Sequence, residues 1–469
     1  MLHETHRAEA QILSAGPSPL PAVAVGAILL AEGYASLAAE ILALRRMVPF
    51  AGSAVSVTAL LLAVYLAALA GGYRRGGRLA RSGDPRPRLA LRLAAAAALA
   101  AFWLSDAGSV LAFGLPVPEL AQVAVYSLVG IAPIGWLLAE CVLLAHACAR
   151  GVDPSRTAGG VFAVSTVGNV GGALLTTFVL LRFLGTAAAT IALVVALCLA
   201  ALAAHRRSVP AAALLAAAMF PLFDLWIEAT VYVERNAYAD YRIVELNDGG
   251  RVLDVSGQAA SRHDGAGLGW EYAERIEKTL CEAGETRVLV LGAAGMTLGR
   301  GAPCELDVAF VDIDPAQRRI AGLFLGAEVE TSGTFAAADA RAFLRDDPGD
   351  WPAIVVDTYS NPRILPQHLL TVEFYRLARS RLSAEGTLYV NHLAWPDDTL
   401  FRTRAERTLR SVFADCSSWP VGIEQGRGWY AASSESGNLL FRCRKGPHDG
   451  DTAIYSDAVP RADLDRSLR

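Results

Sequence analysis

Lysine is nearly missing from this 469-residue chain: of its 42 basic residues only Lys278 and Lys445 are lysines. Arginine takes the other basic positions, which reads as the base composition of the gene rather than as chemistry. The net charge of −4 leaves no basic surplus, so nothing argues for a nucleic-acid partner. The seven cysteines form no Cys-x-x-Cys pair and no Cys/His cluster at metal-ligand spacing, and no metal is expected. Cys141, Cys148 and Cys198 fall in apolar segments, and Cys281, Cys304, Cys416 and Cys443 in the polar half. All are expected to be plain buried or surface residues. No signal peptide is expected, because the first apolar run begins near Pro19, is too long for an h-region and contains Glu32 and Glu40.

Charge is also sparse from residue 20 to 227, where Ala, Leu, Val and Gly dominate a chain that is 53% hydrophobic. Its apolar runs are long enough to cross about 30 Å of hydrocarbon. Candidate spans are 20–44, 50–70, 89–113, 120–148, 160–183 and 185–204, with a weaker seventh at 209–227 that contains Pro221 and Asp224. Arg74, Arg75, Arg78, Arg81, Arg86 and Arg88 lie between spans two and three and place that loop in the cytoplasm; Arg150, Arg156, Arg206 and Arg207 fall on the same side. Glu32, Glu40, Asp106, Glu140, His146, Asn169 and Arg182 lie within the spans and should face the bundle interior or a cavity. They line a polar pathway or pair internally, for instance a Glu with Arg182. Gly168 and Gly172 have the spacing of close helix packing.

Residues 235–469 have the charge density of a soluble domain. Tyr241–Glu245 and Arg251–Val255 alternate like strands around Asn247-Asp-Gly-Gly, a hairpin signal. A helix follows at about 269–283, with Tyr272, Ile276 and Leu280 on one face. Val288–Leu291 is then a continuous apolar run suited to a buried parallel strand. Gly292 and Gly295 permit a tight turn and close approach of a ligand to the backbone. Asp312, at the tip of the next strand, is placed to accept hydrogen bonds from ribose hydroxyls. Asp339 follows a further strand-like run; it either accepts from an adenine amino group or caps the helix after it. Asp357 ends the strand Trp351–Val356, at the sheet edge where ligands bind. The missing third glycine of Gly-x-Gly-x-x-Gly argues against a dinucleotide.

These residues resemble the spermidine synthase (polyamine aminopropyltransferase) family in its membrane-fused bacterial form. The likeness covers about 240–395 and touches Gly33–Glu40 and Arg45. It implies a multi-pass α-helical transmembrane bundle fused to an α/β Rossmann-like (class I methyltransferase-type) domain preceded by a small β-hairpin element. The boundaries expected are a tail at 1–19, the transmembrane domain at 20–230, the β-element at 235–270, the Rossmann domain at 271–445 and a flexible tail at 446–469. The family passes the aminopropyl group of decarboxylated S-adenosylmethionine to an amine and releases methylthioadenosine. The resemblance therefore implies a nucleoside substrate and a polyamine acceptor, and it leaves room for a homodimer beside the lipid bilayer. Leu253-Asp-Val-Ser-Gly-Gln258 matches the family's substrate motif, which implicates Gln258. Tyr272-Ala-Glu keeps the family's tyrosine and loses its histidine. Asp312 stands for the ribose-binding acid, and Asp339 with Ala340 for the adenine contact. Asp357 stands for the aspartate that orients and deprotonates the amine, and Tyr359 flanks the nucleophile's approach.

Two departures bear on the substrate. Gly295 stands where the family carries an aspartate that grips the substrate amine, and Asn361 replaces a second acid. Fewer acids around the aminopropyl end leave room for a carboxylate, so intact S-adenosylmethionine is expected to bind as well as, or instead of, the decarboxylated form. Its own carboxylate could then displace the sulfur, as in an S-adenosylmethionine lyase that makes a lactone. A transporter or sensor that only binds the nucleoside is a reading of another class. The expected location is the bacterial inner membrane, with the catalytic domain in the cytoplasm on grounds of nucleoside supply.

Overall fold

The computed structural model describes residues 20–51, 55–81, 83–149, 154–208, 211–236, 238–264, 269–326, 333–359, 366–394, 399–421 and 437–445. The expected tails at 1–19 and 446–469, and Asn361, lie outside the described residues. The chain divides into two compact units, Met1–Met47 with Thr58–Val117 and Ala121–Ile227, and Val48–Val57 with Pro118–Leu120 and Glu228–Arg469.

The first unit is helical, with the ends of some helices falling in the second: α1 (Ala22–Ala51), α2 (Val55–Leu79), α3 (Pro85–Trp103), α4 (Asp106–Phe113), α5 (Glu119–Val125), α6 (Ala132–Cys148), α7 (Pro154–Leu175), α8 (Gly185–His205) and α9 (Ala211–Thr230). Among the described residues, five helical stretches are long and apolar enough to cross a membrane, and α3 with α4 makes a sixth if their 66° bend lies within one span. Ser105 sits at that bend and caps α4, its hydroxyl accepting the Gly108 N–H, so one helix stops and another starts there. The glycine spacing does pack helices closely. A Cβ at Gly168 would come within 2.6 Å of the Leu30 carbonyl oxygen, and one at Gly172 would strike that of Tyr34. Several polar groups of the spans are paired inside the unit. Glu140 meets Arg75 at 3.1 Å and Arg92 at 2.7 Å, rather than Arg182. Ser165 donates to Glu32 at 2.8 Å. Arg46 is paired with both Asp106 and Asp224.

The second unit starts with an antiparallel sheet of β1 (Glu234–Arg235), β2 (Asp240–Glu245), β3 (Arg251–Val255) and β4 (Gln258–His263) in that order. The expected hairpin joins β2 to β3. A second one, unexpected from sequence, joins β3 to β4 through Ser256 and Gly257, whose φ values of 53° and 88° suit a two-residue turn. Then follow α10 (Glu271–Ala283), β5 (Arg287–Leu291), β6 (Asp307–Asp312), α11 (Gln317–Leu325), β7 (Thr334–Ala337), α12 (Ala340–Asp346), β8 (Trp351–Val356), α13 (Val372–Arg381), β9 (Leu382–Ala394), α14 (Thr399–Arg410), β10 (Asp415–Val421) and β11 (Gly437–Arg444). The seven strands of the large sheet run in the order β10-β11-β9-β8-β5-β6-β7. β5 to β9 are parallel, and β11 pairs antiparallel with both β9 and β10. Alternation along the strands separates two cores. Leu289, Ile354 and Val390 pack with Leu344, Phe374 and Leu409 on one face. Val290, Val355 and Tyr389 pack with Ile276, Leu280, Ile320 and Phe324 on the other. This is a Rossmann-like α/β layer architecture.

Four of the seven cysteines depart from expectation. Cys281 bonds to Cys304 and Cys416 to Cys443, 23 and 27 residues apart in sequence, while Cys141, Cys148 and Cys198 keep their thiols. Pairing depends on spatial adjacency, here the register that sets Cys416 opposite Cys443 across β10 and β11. Spacing along the chain carries no sign of it.

Candidate active site

β5 lies between β6 and β8, and the chain returns past β5 to form β8 after β7, so the strand order reverses there. The carboxyl ends of β5 and β8 flank the crevice that such a reversal opens. Gly292 ends β5 with φ of 104°, and a Cβ there would collide with the carbonyl oxygen of Asp357. Only glycine fits. The Asp357 N–H donates to Leu291 O at 2.8 Å, which locks the two strand ends together. The turn continues through Gly295, with φ of 81°. Ser261 of β4 donates to the Ala294 carbonyl, tying the small sheet to this turn.

Asp357 is the centre of the cluster. Tyr272 of α10 donates to its Oδ2 at 2.9 Å, and Asn391 of β9 donates to its Oδ1 at 2.9 Å. Burial raises the Asp357 pKa above the ordinary aspartate value, against these two hydrogen bonds, which lower it. Burial and the neighbouring Asp357 charge raise that of Tyr272 well above 10, so the phenol stays a donor. Two buried polar atoms beside Asp357, Thr358 Oγ1 and Asn391 Oδ1, have no partner among the described residues. A carboxylate and two free acceptors on adjoining residues make a setting for an ammonium or hydroxyl donor.

Asp312 ends β6. Its Oδ2 accepts the Ala293 N–H of the glycine turn and its Oδ1 accepts the Asp314 N–H, both at 2.9 Å. Burial pushes its pKa up to about 6 in spite of these bonds. Asp314, the second acid of the same motif, is buried and accepts from Tyr241 at 2.6 Å and Asn236 at 2.8 Å, joining the small sheet to the large one. Asp339 follows β7 and caps α12: Oδ1 accepts the Ala342 N–H, and Oδ2 lies 2.9 Å from His368 Nε2. Burial alone would raise its pKa; the cap and His368 outweigh that and hold it below the usual value. Of the two roles read from sequence, capping is the one present here. Ala340 turns its side chain into the core.

The structure thus brings Tyr272, Gly292, Gly295, Asp312 and Asp357 to one sheet edge, with Asp339 two strands from β5. Gln258 opens β4, where it is half-buried. Tyr359 uses its hydroxyl on β9, donating to Asn391 O and accepting Leu393 N–H, both at 2.9 Å. It therefore anchors the strand that carries Asn391. Sequence reading did not single out Asn391 as a partner of Asp357, although a lone amide at the carboxyl end of Thr387–Val390 was a usable signal. Nothing near His368 pointed to Asp339.

No family model matches the chain, and no curated protein matches it. Among solved structures it is similar to a probable spermidine synthase from Corynebacterium glutamicum, at 18% identity over 48% of this chain and 84% of that one, with a TM-score of 0.37. It is similar to the spermidine synthase from Thermotoga maritima at 16% identity over 51% and 88% of the two chains, TM-score 0.37. An O-methyltransferase from Bacillus cereus in complex with SAH is similar at 10% identity over 37% and 80%, TM-score 0.28.

Proposed function

We propose that the second unit is an enzyme acting on an S-adenosyl-sulfonium nucleoside, with aminopropyl transfer to an amine as its reaction. The observation that carries this reading is Asp357, held at a strand end by Tyr272 and Asn391 beside two unpartnered acceptors. In the reaction the amine nitrogen attacks the methylene next to sulfur. The new C–N bond forms as the C–S bond breaks, and the electron pair goes to sulfur, giving methylthioadenosine. Asp357 takes the proton that the amine loses. The sulfonium is already a good leaving group, so most of the acceleration comes from positioning. Asp312 and Gln258 hold the nucleoside in this reading, Asp339 fixes the start of α12 beside it, and the Gly292–Gly295 turn lets it approach the backbone.

One observation favours a second reading. A Cβ at Gly295 would lie 3.1 Å from both Leu253 and Phe324, in a left-handed turn, so this position has no room for an acid without rearrangement. The reacting end then lacks a charge that would repel the carboxylate of intact S-adenosylmethionine. That carboxylate can itself displace sulfur, giving a lactone and methylthioadenosine. Purified full-length protein is to be incubated with each adenosyl donor, with and without putrescine, and the products read by mass spectrometry. Methylthioadenosine and a polyamine that both need putrescine support transfer. Methylthioadenosine with a lactone and no acceptor supports the lyase. S-Adenosylhomocysteine as product, or no turnover of either donor, overturns both.

A further inference from the structure

We infer that the second unit, with its site, lies on the side of the membrane opposite the arginine-rich loops, in an oxidising compartment. Helix direction within the first unit is one line of support. Arg46 stands near the carboxyl end of α1, Asp106 just past the carboxyl end of α3, and Asp224 in the last third of α9. Arg46 pairs with Asp106 and, at 2.6 Å, with Asp224, whose Oδ1 accepts the Asp106 N–H at 3.2 Å. The carboxyl-terminal parts of all three helices therefore meet, which is the arrangement that a crossing α9 running in the direction of α1 and α3 requires. Asp224 was the charge that weakened the seventh span in sequence. It is 1% exposed and neutralised by a neighbour inside the bundle, so it no longer counts against a crossing. The 20 residues of α9 are about 30 Å long, enough to cross.

The opposite ends gather the arginines. Arg75 at the end of α2 and Arg92 in the first half of α3 both reach Glu140 in α6. Leu20 N–H donates to Cys148 O, which sets the start of α1 beside the end of α6. The loop from Arg74 to Arg88 belongs to this end, and Arg206 and Arg207 follow α8 directly before α9 begins. The excess of arginine marks this end as cytoplasmic. A helix that starts here and runs parallel to α1 delivers Glu228 and everything after it to the far side.

The cysteines give an independent second line. All four in the second unit are joined in disulfides, and the three that remain thiols lie in helices of the first. Disulfides form and persist in oxidising compartments and are rare in the cytosol. Sulfur chemistry and charge distribution thus select the same side. The ligand that reaches Asp357 then comes from outside the cytosol, contrary to the location expected from nucleoside supply. The inference holds whichever reaction the site performs.

The test uses the full-length protein with cysteine placed at two exposed positions, Asn247→Cys in the β2–β3 turn and Arg207→Cys before α9. In sealed spheroplasts a membrane-impermeant maleimide should label Asn247→Cys at once and Arg207→Cys only after permeabilisation, with the unsubstituted protein as background. Label on Asn247→Cys only after permeabilisation, or on both positions from one side, overturns the inference. The unsubstituted protein, denatured under alkylation, should expose three thiols before reduction and seven after. Seven reactive thiols before reduction would refute it without any variant.

Discussion

Asp357 owes its chemistry to two hydrogen bonds and a buried position, and each can be changed separately. Asp357→Asn keeps the shape and removes the proton acceptor, so nucleoside binding by calorimetry should persist while turnover falls by about 10²–10⁴-fold. The protonated acid is idle, so activity should climb as pH rises through its elevated pKa. The Asn391 amide lowers that pKa. Asn391→Ala should therefore move the acid limb of the kcat/KM profile to higher pH; a merely structural loss would scale the profile without moving it. The placement of Asp312 and Asp357 at strand ends was legible in the sequence because a strand and the acid that follows its apolar run are local signals. Asn391 was less so, because its meeting with Asp357 depends on the β8–β9 register that sets Val356 beside Val390.

At the scale of elements, the glycine turn and α10 carry the consequences. Gly292→Ala would place a Cβ against the Asp357 carbonyl in a left-handed backbone, a strain of about 1–3 kcal/mol before the clash. Thermal unfolding should show the loss, and nucleoside binding should weaken with it because the strand ends are forced apart. Glu277 of α10 accepts the Gly299 N–H at 2.6 Å, and burial pushes its pKa from 4.5 to about 7. The folded state thus holds its proton more tightly than the unfolded one. That stabilisation is complete below pH 4.5 and is lost as pH rises through about 7. Glu277→Gln keeps the oxygen acceptor, so the fall in melting temperature over this window should flatten. The Asn247–Gly250 hairpin was readable from its turn residues, whereas the second hairpin was hidden: Ser256 adopts a positive φ that its residue type does not announce.

At the scale of the whole molecule, hydropathy marked the apolar helical half apart from the polar α/β half. The course of α9 stayed ambiguous because Asp224 looks costly until Arg46, 178 residues away, is seen beside it. The disulfides were hidden for the same reason, being matters of contact rather than of spacing. One last feature governs how the protein is made. β11, the last described strand, is inserted between β9 and β10, both synthesised earlier. Until Gly437–Arg444 has emerged, β9 is an open edge able to pair with another chain. The strand that positions Asn391 is therefore completed late in synthesis, and Cys416 has no partner before Cys443 arrives. A chain stopped after Val421 should lose protease resistance and nucleoside binding together and aggregate, although every proposed contact to the ligand is already present in it.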